Sequence, residues 1–420
     1  MGTRFAALVS ASVVSAACAG VARPHPSARA VYTTHAVNPV LTQVLCRLTG
    51  PAGIEAPPGL DLPLAYPTDG VGIDGTDLGI PFPWAGSWRL LFGDTDTNPA
   101  RAGLYHQQDP TVWGPIEPNA MAVLPGPALD GCPRAVRWQV AGRTVAPVLP
   151  REDGEASVIF AGAATVGATV YAQAMSVGEW GPACDAPDAR GNVCVRYGFL
   201  ARSRDGGEHF ERLPAPRWEL PHRTFGSART YTDAGFAQAA LAVGEGPGGG
   251  EALWLFGAQS GRRGPLRLAW VPAGQVEDPR AYRYLSGLRD GAPEWSVDAL
   301  EAVPVVPAPV GEASVAWLPS LRRWVLLRLD VRAQALVASL APRPWGPWTA
   351  PVRVLDCGDS PWNGCYGGFS YGSEGPGGDE GRRFASADGR WLYFTVSHWG
   401  TYETYLARLS VDALAAAVAP

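Results

Sequence analysis

A short apolar strand motif recurs five times along this 420-residue chain, and the recurrence limits the fold more than any other feature. Each copy follows a turn and is rich in Trp, Tyr or Phe. The copies lie at 87–93, 168–177, 251–257, 322–330 and 389–397. Successive copies are 67 to 84 residues apart, measured between the anchor residues Trp88, Val170, Trp254, Trp324 and Trp391. A unit of that length, built from several strands and turns, is typical of a propeller blade.

A second apolar strand follows most of the copies, as a blade of several strands requires. These strands lie at 197–203, 265–271, 335–341 and 404–410. An early strand candidate at 40–48 would complete the last blade and close the ring. We therefore predict an all-β fold, a five-bladed β-propeller over residues 37–420. Two unrelated sandwich domains are the alternative, and the evenness of the repeat counts against them.

The N-terminal residues are typical of a secretory signal. A basic residue precedes an apolar run from Phe5 to Ala17, and small residues follow. The run is shorter than a transmembrane helix. Cys18 fits two patterns, as the lipidated first residue of a lipoprotein or as part of a discarded A-x-A site. We expect a signal peptide at 1–19, a linker at 20–36, and a secreted or surface-anchored protein that meets a membrane only through a lipid.

The remaining cysteines suit an oxidising compartment. The chain has seven cysteines. Apart from Cys18, six remain, an even number that fits three disulfides. Their spacing favours the local pairs Cys184–Cys194 and Cys357–Cys365, after which Cys46 pairs with Cys132. Other connectivities stay open on sequence alone.

The charge of the chain limits the classes of partner that it can bind. The chain contains no lysine and carries a formal net charge of −5, with no basic stripe, so we expect no nucleic-acid partner. The six histidines are scattered without zinc spacing. We expect no cofactor, no metal ion and a monomer.

The stretch from Gly75 to Asn98 reads as a β-hairpin. Apolar residues alternate on both sides of a Pro83–Gly86 turn. A hairpin brings its two ends together, so Asp77 and Asp94 should lie at the same end as a paired-carboxylate site. The alternative is that both are turn acids, and the local sequence alone favours that interpretation.

Several motifs resemble the bacterial domain-of-unknown-function family numbered 4185. They are GTDLG at 75–79, FGDT at 92–95, GEASV at 311–315, WGPW at 345–348 and the end segment LYFTVSHWGTYETYLARL at 392–409. The segment VPAGQVEDPRAYRYLSG at 271–287 looks like the family's linker between blades, whereas 368–381 is unusually Gly-rich for its last blade. The resemblance covers roughly residues 70–411. It implies a five-bladed propeller, and some family members are endo-D-arabinanases.

The same resemblance implies roles for three acids. Asp77 falls on the family's first-blade acid and Glu312 on the acid of its G-E-x-S-V segment. Glycoside hydrolysis needs one carboxyl as base or nucleophile and another as acid. We assign the base or nucleophile to Asp77 and the acid to Glu312, whose pKa burial would raise. Asp94 would orient them.

The leading hypothesis is thus a glycoside hydrolase acting on a furanoside, arabinan-like polysaccharide. A non-catalytic glycan-binding propeller and a sialidase-like enzyme are the alternatives; the latter would need an arginine cluster. Trp113, His398 and Trp399 are candidate substrate contacts, because exposed aromatic rings stack on sugars. The Asp-box pattern from Ser203 to Phe210 is interpreted as a structural hairpin turn.

Overall fold

The architecture is given by a computed structural model that describes most residues beyond 40. The described ranges are 41–52, 59–97, 116–124, 131–133, 136–142, 144–180, 193–219, 235–262, 264–372 and 389–418. They belong to the unit Val37–Pro420. Of the candidate site and cysteine residues, Cys18, Trp113 and Cys184 lie outside these ranges, as does the side chain of Cys194. The predicted signal peptide at 1–19 and linker at 20–36 also lie outside them.

The strands form five antiparallel sheets in chain order, and each sheet is one blade. A first strand, β1 (Thr42–Arg47), precedes them. Blade one contains β2 (Gly75–Trp84), β3 (Ser87–Asp96), β4 (Ile116–Glu117), β5 (Ala120–Leu124) and β6 (Arg137–Trp138), followed by the small hairpin β7 (Val140–Ala141) and β8 (Thr144–Val145). Blade two contains β9 (Ser157–Val166), β10 (Thr169–Trp180), β11 (Val193–Ser203) and β12 (Glu211–Glu219).

Blade three is the widest, with six strands. These are β13 (Gln238–Glu245), β14 (Glu251–Ala258), β15 (Leu266–Pro272), β16 (Arg283–Arg289), β17 (Ala292–Ser296) and β18 (Pro304–Val306). Blade four contains β19 (Val310–Leu318), β20 (Arg323–Asp330), β21 (Ala335–Ala341) and β22 (Val352–Asp356). Blade five contains β23 (Cys365–Ser370), β24 (Trp391–His398) and β25 (Glu403–Ser410), and the chain continues into α1 (Val411–Ala417). Short 3-10 turns lie at Asp69–Val71, Ser260–Arg262, Ala273–Gln275, Pro279–Ala281 and Ala299–Glu301.

The recurring aromatic motif corresponds to the second strand of every blade, which confirms the predicted five-bladed propeller. The motif copies match β3, β10, β14, β20 and β24, and the strands that follow four of them are β11, β15, β21 and β25. A second strand is covered by neighbouring strands in its sheet and by adjacent blades on its faces. Both faces therefore select apolar residues, which is why these strands read as continuous hydrophobic runs.

The first strands of the blades surround the axis. They pack around a ring in the order β2, β9, β13, β19, β23 and back to β2. Gly162 allows the closest approach, because a Cβ there would overlap the carbonyl oxygen of Ala239. The cavity left between them holds only about 20 Å³, roughly one water. The channel is thus closed in its middle.

The early strand closes the ring, as the sequence predicted. Strand β1 pairs antiparallel with β25 at the outer edge of blade five. A disulfide between Cys46 of β1 and Cys132 ties this closing strand to blade one. A second disulfide joins Cys357 to Cys365. Both pairings are those favoured by the spacing.

One expectation is wrong. The segment at 271–287 does not connect two blades, because β16 within it pairs back onto β15 and extends the sheet of blade three. The Asp box behaves as expected: the backbone amide of His209 donates to Asp205 Oδ1 at 3.0 Å. Its Gly206 carbonyl accepts from Arg89 of blade one at 2.8 Å, so this turn anchors blade two to blade one.

Among the described residues, no helix has the length and hydropathy that a membrane crossing requires.

Candidate active site

The beginnings of the first strands converge on one group of polar side chains. Asp77 is the third residue of β2, Glu312 the third of β19, and Tyr366 the second of β23. Ser157 opens β9 and bonds to Asp94, which lies near the end of β3. Because β3 runs antiparallel to β2, its end lies beside the start of β2. All five side chains therefore meet at one end of the propeller axis.

A bulge in β2 presents Asp77. The β2–β3 register shifts on both sides of Leu78, and Leu78 and Gly79 both adopt a φ of 69°. A left-handed leucine is costly and persists only where surrounding contacts impose it. Blade five supplies these contacts. Leu78 N donates to Ser397 Oγ at 2.8 Å, and Thr395 Oγ1 donates to the carbonyls of Leu78 and Gly79 at 3.0 and 2.9 Å.

The hairpin itself forms as predicted, with Ala85 and Gly86 in its turn at φ of 47° and 73°. The two acids, however, do not serve as turn acids. Asp77 and Asp94 both lie within strands, eight residues from Ala85 and Gly86 respectively.

Asp77 is buried, and its surroundings raise its pKa. Its carboxyl accepts a hydrogen bond from Tyr366 Oη at 2.7 Å on Oδ2, while Oδ1 has no hydrogen-bond partner. Burial raises the pKa of Asp77 to about 8, and the negative charges of Asp94 and Glu312 contribute to the rise. The hydrogen bond from Tyr366 acts in the opposite direction and lowers this pKa. Gly93 makes room for this carboxyl, because a Cβ there would overlap Oδ1.

Asp94 is the second acid with a raised pKa. Burial raises its pKa to about 7, against a hydrogen bond from Ser157 Oγ and the positive charge of Arg151. Asp77 and Asp94 are therefore close enough to repel one another, and both titrate near neutrality. That property suits acid–base chemistry.

Glu312 has a different environment, because it is paired with a cation. Arg262 Nε and Nη2 both donate to Glu312 Oε1, at 2.8 and 2.6 Å. The guanidinium also lies over the Tyr366 ring, 5.2 Å from its centroid. The Arg262 side chain is 43% exposed and that of Glu312 16%, so this pair borders the open side of the site.

An exposed aromatic ring stands beside the acids. Trp399 is 43% exposed, and its ring centroid is 6.1 Å from that of Tyr366 and 5.9 Å from that of Tyr402. Burial raises the pKa of Tyr402 well above its usual value. The nearby charges of Asp77, Asp94 and Asp96 add to this rise. The structure thus places Trp399 at the rim of the acid cluster.

His398 is placed differently from its sequence-based role. It is 5% exposed, Thr401 N donates to its Nδ1 at 3.1 Å, and its ring meets Trp362 edge-on. Burial lowers its pKa. Its Nε2 is buried without a hydrogen-bond partner, and a substrate contact by His398 stays a prediction.

Sequence reasoning missed Tyr366, Arg262 and Ser157. Tyr366 follows a cysteine in a short strand, Arg262 lies in a Gly- and Arg-rich loop, and Ser157 opens a strand with no motif around it. Only their contacts with the three acids distinguish them. Within the described ranges, no group of three His, Cys, Asp or Glu side chains is arranged to hold a metal ion.

Comparisons with solved structures support the fold. The chain overlays a candidate hydrolase from Bacteroides ovatus ATCC 8483 with a TM-score of 0.52 at 12% identity, covering 84% of this chain and 90% of that one. Zg3597, a family 117 glycoside hydrolase from Zobellia galactanivorans, gives 0.46 at 14% identity, covering 91% and 99%. The GH43_1 enzyme from Xanthomonas citri complexed with xylotriose gives 0.43 at 13% identity, covering 81% and 87%. At these identities the first overlay shows a shared fold alone, and the two below 0.5 support no inference.

Sequence comparison assigns the family. No curated protein sequence matches the chain. The family model DUF4185, described as a domain of unknown function, matches residues 66–408. Because this match spans most of the sequence, the chain belongs to the DUF4185 family.

Proposed function

We propose that this protein is a glycoside hydrolase that cleaves a furanoside, arabinan-like polysaccharide outside the cytoplasm. One observation carries the proposal: three carboxyls meet at one end of a propeller axis, and they are in unlike electrostatic environments. Asp77 and Asp94 have pKa values raised to about 8 and about 7, and Glu312 is paired with Arg262. Hydrolysis of a glycosidic bond needs one protonated and one ionised carboxyl across the bond.

The closed channel supports a surface cleft rather than a tunnel as the substrate site. A polymer would lie across the rim, where Trp399 offers an exposed ring for stacking on a sugar. The resemblance to the DUF4185 family supports a furanoside as the substrate class, because some members of that family cut D-arabinan. Two disulfides favour an oxidising compartment outside the cytoplasm. We further propose that the 1–19 segment is a signal peptide, with Cys18 as its candidate lipidation site.

The experiment is a screen of purified protein against furanose and pyranose polysaccharides, with released reducing ends and binding affinity both measured. We expect cleavage of an arabinan-like polymer and loss of cleavage in Glu312→Gln. Glu301→Gln is the matched control, because Glu301 is exposed in a 3-10 turn of blade three. Binding without turnover, at an affinity that survives Glu312→Gln, would instead identify a non-catalytic glycan-binding propeller.

A further inference from the structure

Arg262 is the cation in direct contact with Glu312. Both of its hydrogen bonds reach the same carboxylate oxygen, Oε1. Charge-assisted bonds of this kind favour the ionised form of the acceptor. A carboxyl held in this way is a poor proton donor.

Asp77 has no such contact with a cation. The hydrogen bond that it receives comes from the neutral phenol of Tyr366. The charges of Asp94 and Glu312 both disfavour its ionisation, and the more weakly acting charge of Arg262 opposes them. Its Oδ1 is buried without a hydrogen-bond partner, as is Oε2 of Glu312, so the direct contact with a cation is what distinguishes the two acids. These contacts favour the protonated form.

The backbone also directs Arg262 to this position. Gly261 and Arg262 follow β14 with φ of 75° and 60°. A left-handed arginine persists only where other contacts hold it. Here the contacts are the Glu312 carboxylate and the face of the Tyr366 ring, and Tyr366 in turn bonds Asp77. One arginine thus spans the space between the two acids.

We propose that Arg262 is a positioning residue that keeps Glu312 as the carboxylate, and that the charge held on Glu312 in turn favours the acid form of Asp77. Its catalytic consequence rests on the proposed glycoside hydrolysis and reverses the roles assigned from sequence. Asp77 gives its proton to the leaving oxygen as the glycosidic C–O bond breaks. Glu312 either attacks the anomeric carbon or takes a proton from the water that does. If Glu312 attacked, a water deprotonated by Asp77 then cleaves the glycosyl–Glu312 ester, which frees Glu312 and returns Asp77 to the acid form. If water attacked, proton exchange with solvent restores both carboxyls.

Infrared spectroscopy of the unliganded protein tests this assignment without requiring activity. At pH 7 we expect a protonated-carboxyl band that disappears in Asp77→Asn and remains in Glu312→Gln. Arg262→Met should add a second protonated carboxyl, which is absent from Arg262→Met combined with Glu312→Gln. Asp94→Asn and Glu403→Gln identify the contributions of the two other carboxyls with a pKa of about 7. Arg343→Met, which removes an arginine lying over the Trp345 ring, is the control.

A band that is lost in Glu312→Gln but kept in Asp77→Asn would overturn the proposal. So would an Arg262→Met spectrum equal to wild type. Because these results do not depend on turnover, they remain decisive even if no polysaccharide is cleaved and the proposed function fails.

The pH dependence of kcat/KM tests the role during turnover. The groups facing Asp77 are Asp94, Glu312, Arg262, Tyr366 and Tyr402. In Arg262→Met we expect the acidic limb of the profile to move to higher pH, because the site loses its cation. We expect kcat to fall with little change in KM, and Arg262→Lys to restore part of the shift. A merely structural role would lower the whole profile without moving either limb.

Discussion

Two glutamate–arginine pairs in this propeller have opposite environments. Glu312 and Arg262 have side chains 16% and 43% exposed, and two hydrogen bonds join them. Glu403 and Arg47 are 3% and 10% exposed, and a single hydrogen bond of 3.3 Å joins them. The first pair borders the candidate active site, whereas the second joins β25 to the closing strand β1.

The Glu403–Arg47 pair shows how burial affects a glutamate–arginine interaction. Burial raises the pKa of Glu403 to about 7, even though Arg47 and a hydrogen bond from Tyr405 Oη at 2.9 Å both lower it. Desolvation therefore outweighs the nearby cation. Solvent access spares the Glu312 pair much of this cost. We conclude that the same two residue types hold the ring together at one location and keep a charge available at the other.

The largest expected effect is on turnover. Asp77→Asn keeps the shape of the side chain and removes the proton, so kcat should fall by about 10²–10⁴-fold. At pH 6 the melting temperature should hardly change, because Asp77 is already neutral there. Kinetics and thermal unfolding of the same preparation check both outcomes. Full activity would remove the enzyme assignment, and lost stability with intact activity would return Asp77 to a structural role.

The next effect separates the two pairs by stability. Arg47→Met should lower the free energy of unfolding by about 3–5 kcal/mol, because it leaves a buried carboxyl without its cation. Arg262→Met should cost less than about 1 kcal/mol, because that pair is partly solvated. Urea denaturation of both variants measures the difference. Equal losses would contradict the distinction drawn here.

The third prediction concerns pH. Asp77, Asp94 and Glu403 all have raised pKa values in the folded state, at about 8, 7 and 7. The folded protein therefore binds more protons than the unfolded chain between about pH 4 and 8, and its stability should fall as pH rises through that window. Glu403 alone contributes up to about 3 kcal/mol of this loss.

Unfolding curves collected from pH 4 to 8 measure the slope. Glu403→Gln should flatten it between pH 4.5 and 7, whereas Asp77→Asn should flatten it up to about pH 8. Stability that rises with pH across this range would show that these carboxyls are ionised in the folded protein.

The smallest effect compares two tryptophans. Trp399 is exposed beside the cluster of acids. Trp362 instead packs edge-on against Tyr405, with ring centroids 4.9 Å apart, near the Glu403–Arg47 pair. Trp399→Ala should raise KM about tenfold, the loss of about 1.4 kcal/mol of stacking, with kcat nearly unchanged. Trp362→Ala should lower stability and leave KM unchanged. A KM change in the second variant alone would place the sugar elsewhere.

Local chemistry made the architecture predictable. The second strand of each blade is covered on both faces and must therefore be apolar. Strands such as β14 and β20 could for this reason be recognised in the sequence as aromatic-rich apolar runs, one for each blade. The Ala85–Gly86 turn and the alternation around it likewise defined the first hairpin, and with it the pairing of Asp77 and Asp94. These features depend on neighbours in sequence or on the uniform interior of a blade.

The protonation states of the site depended on contacts across the ring. Arg262 of blade three reaches Glu312, 50 residues on, and Tyr366 of blade five reaches Asp77, 289 residues away. Such contacts arise only when the closed ring brings the starts of its first strands together. Burial and neighbouring charge are properties of that assembled space, so the raised pKa of Asp77 and the cation beside Glu312 followed from the tertiary structure, while the strands that carry them could be read from the sequence.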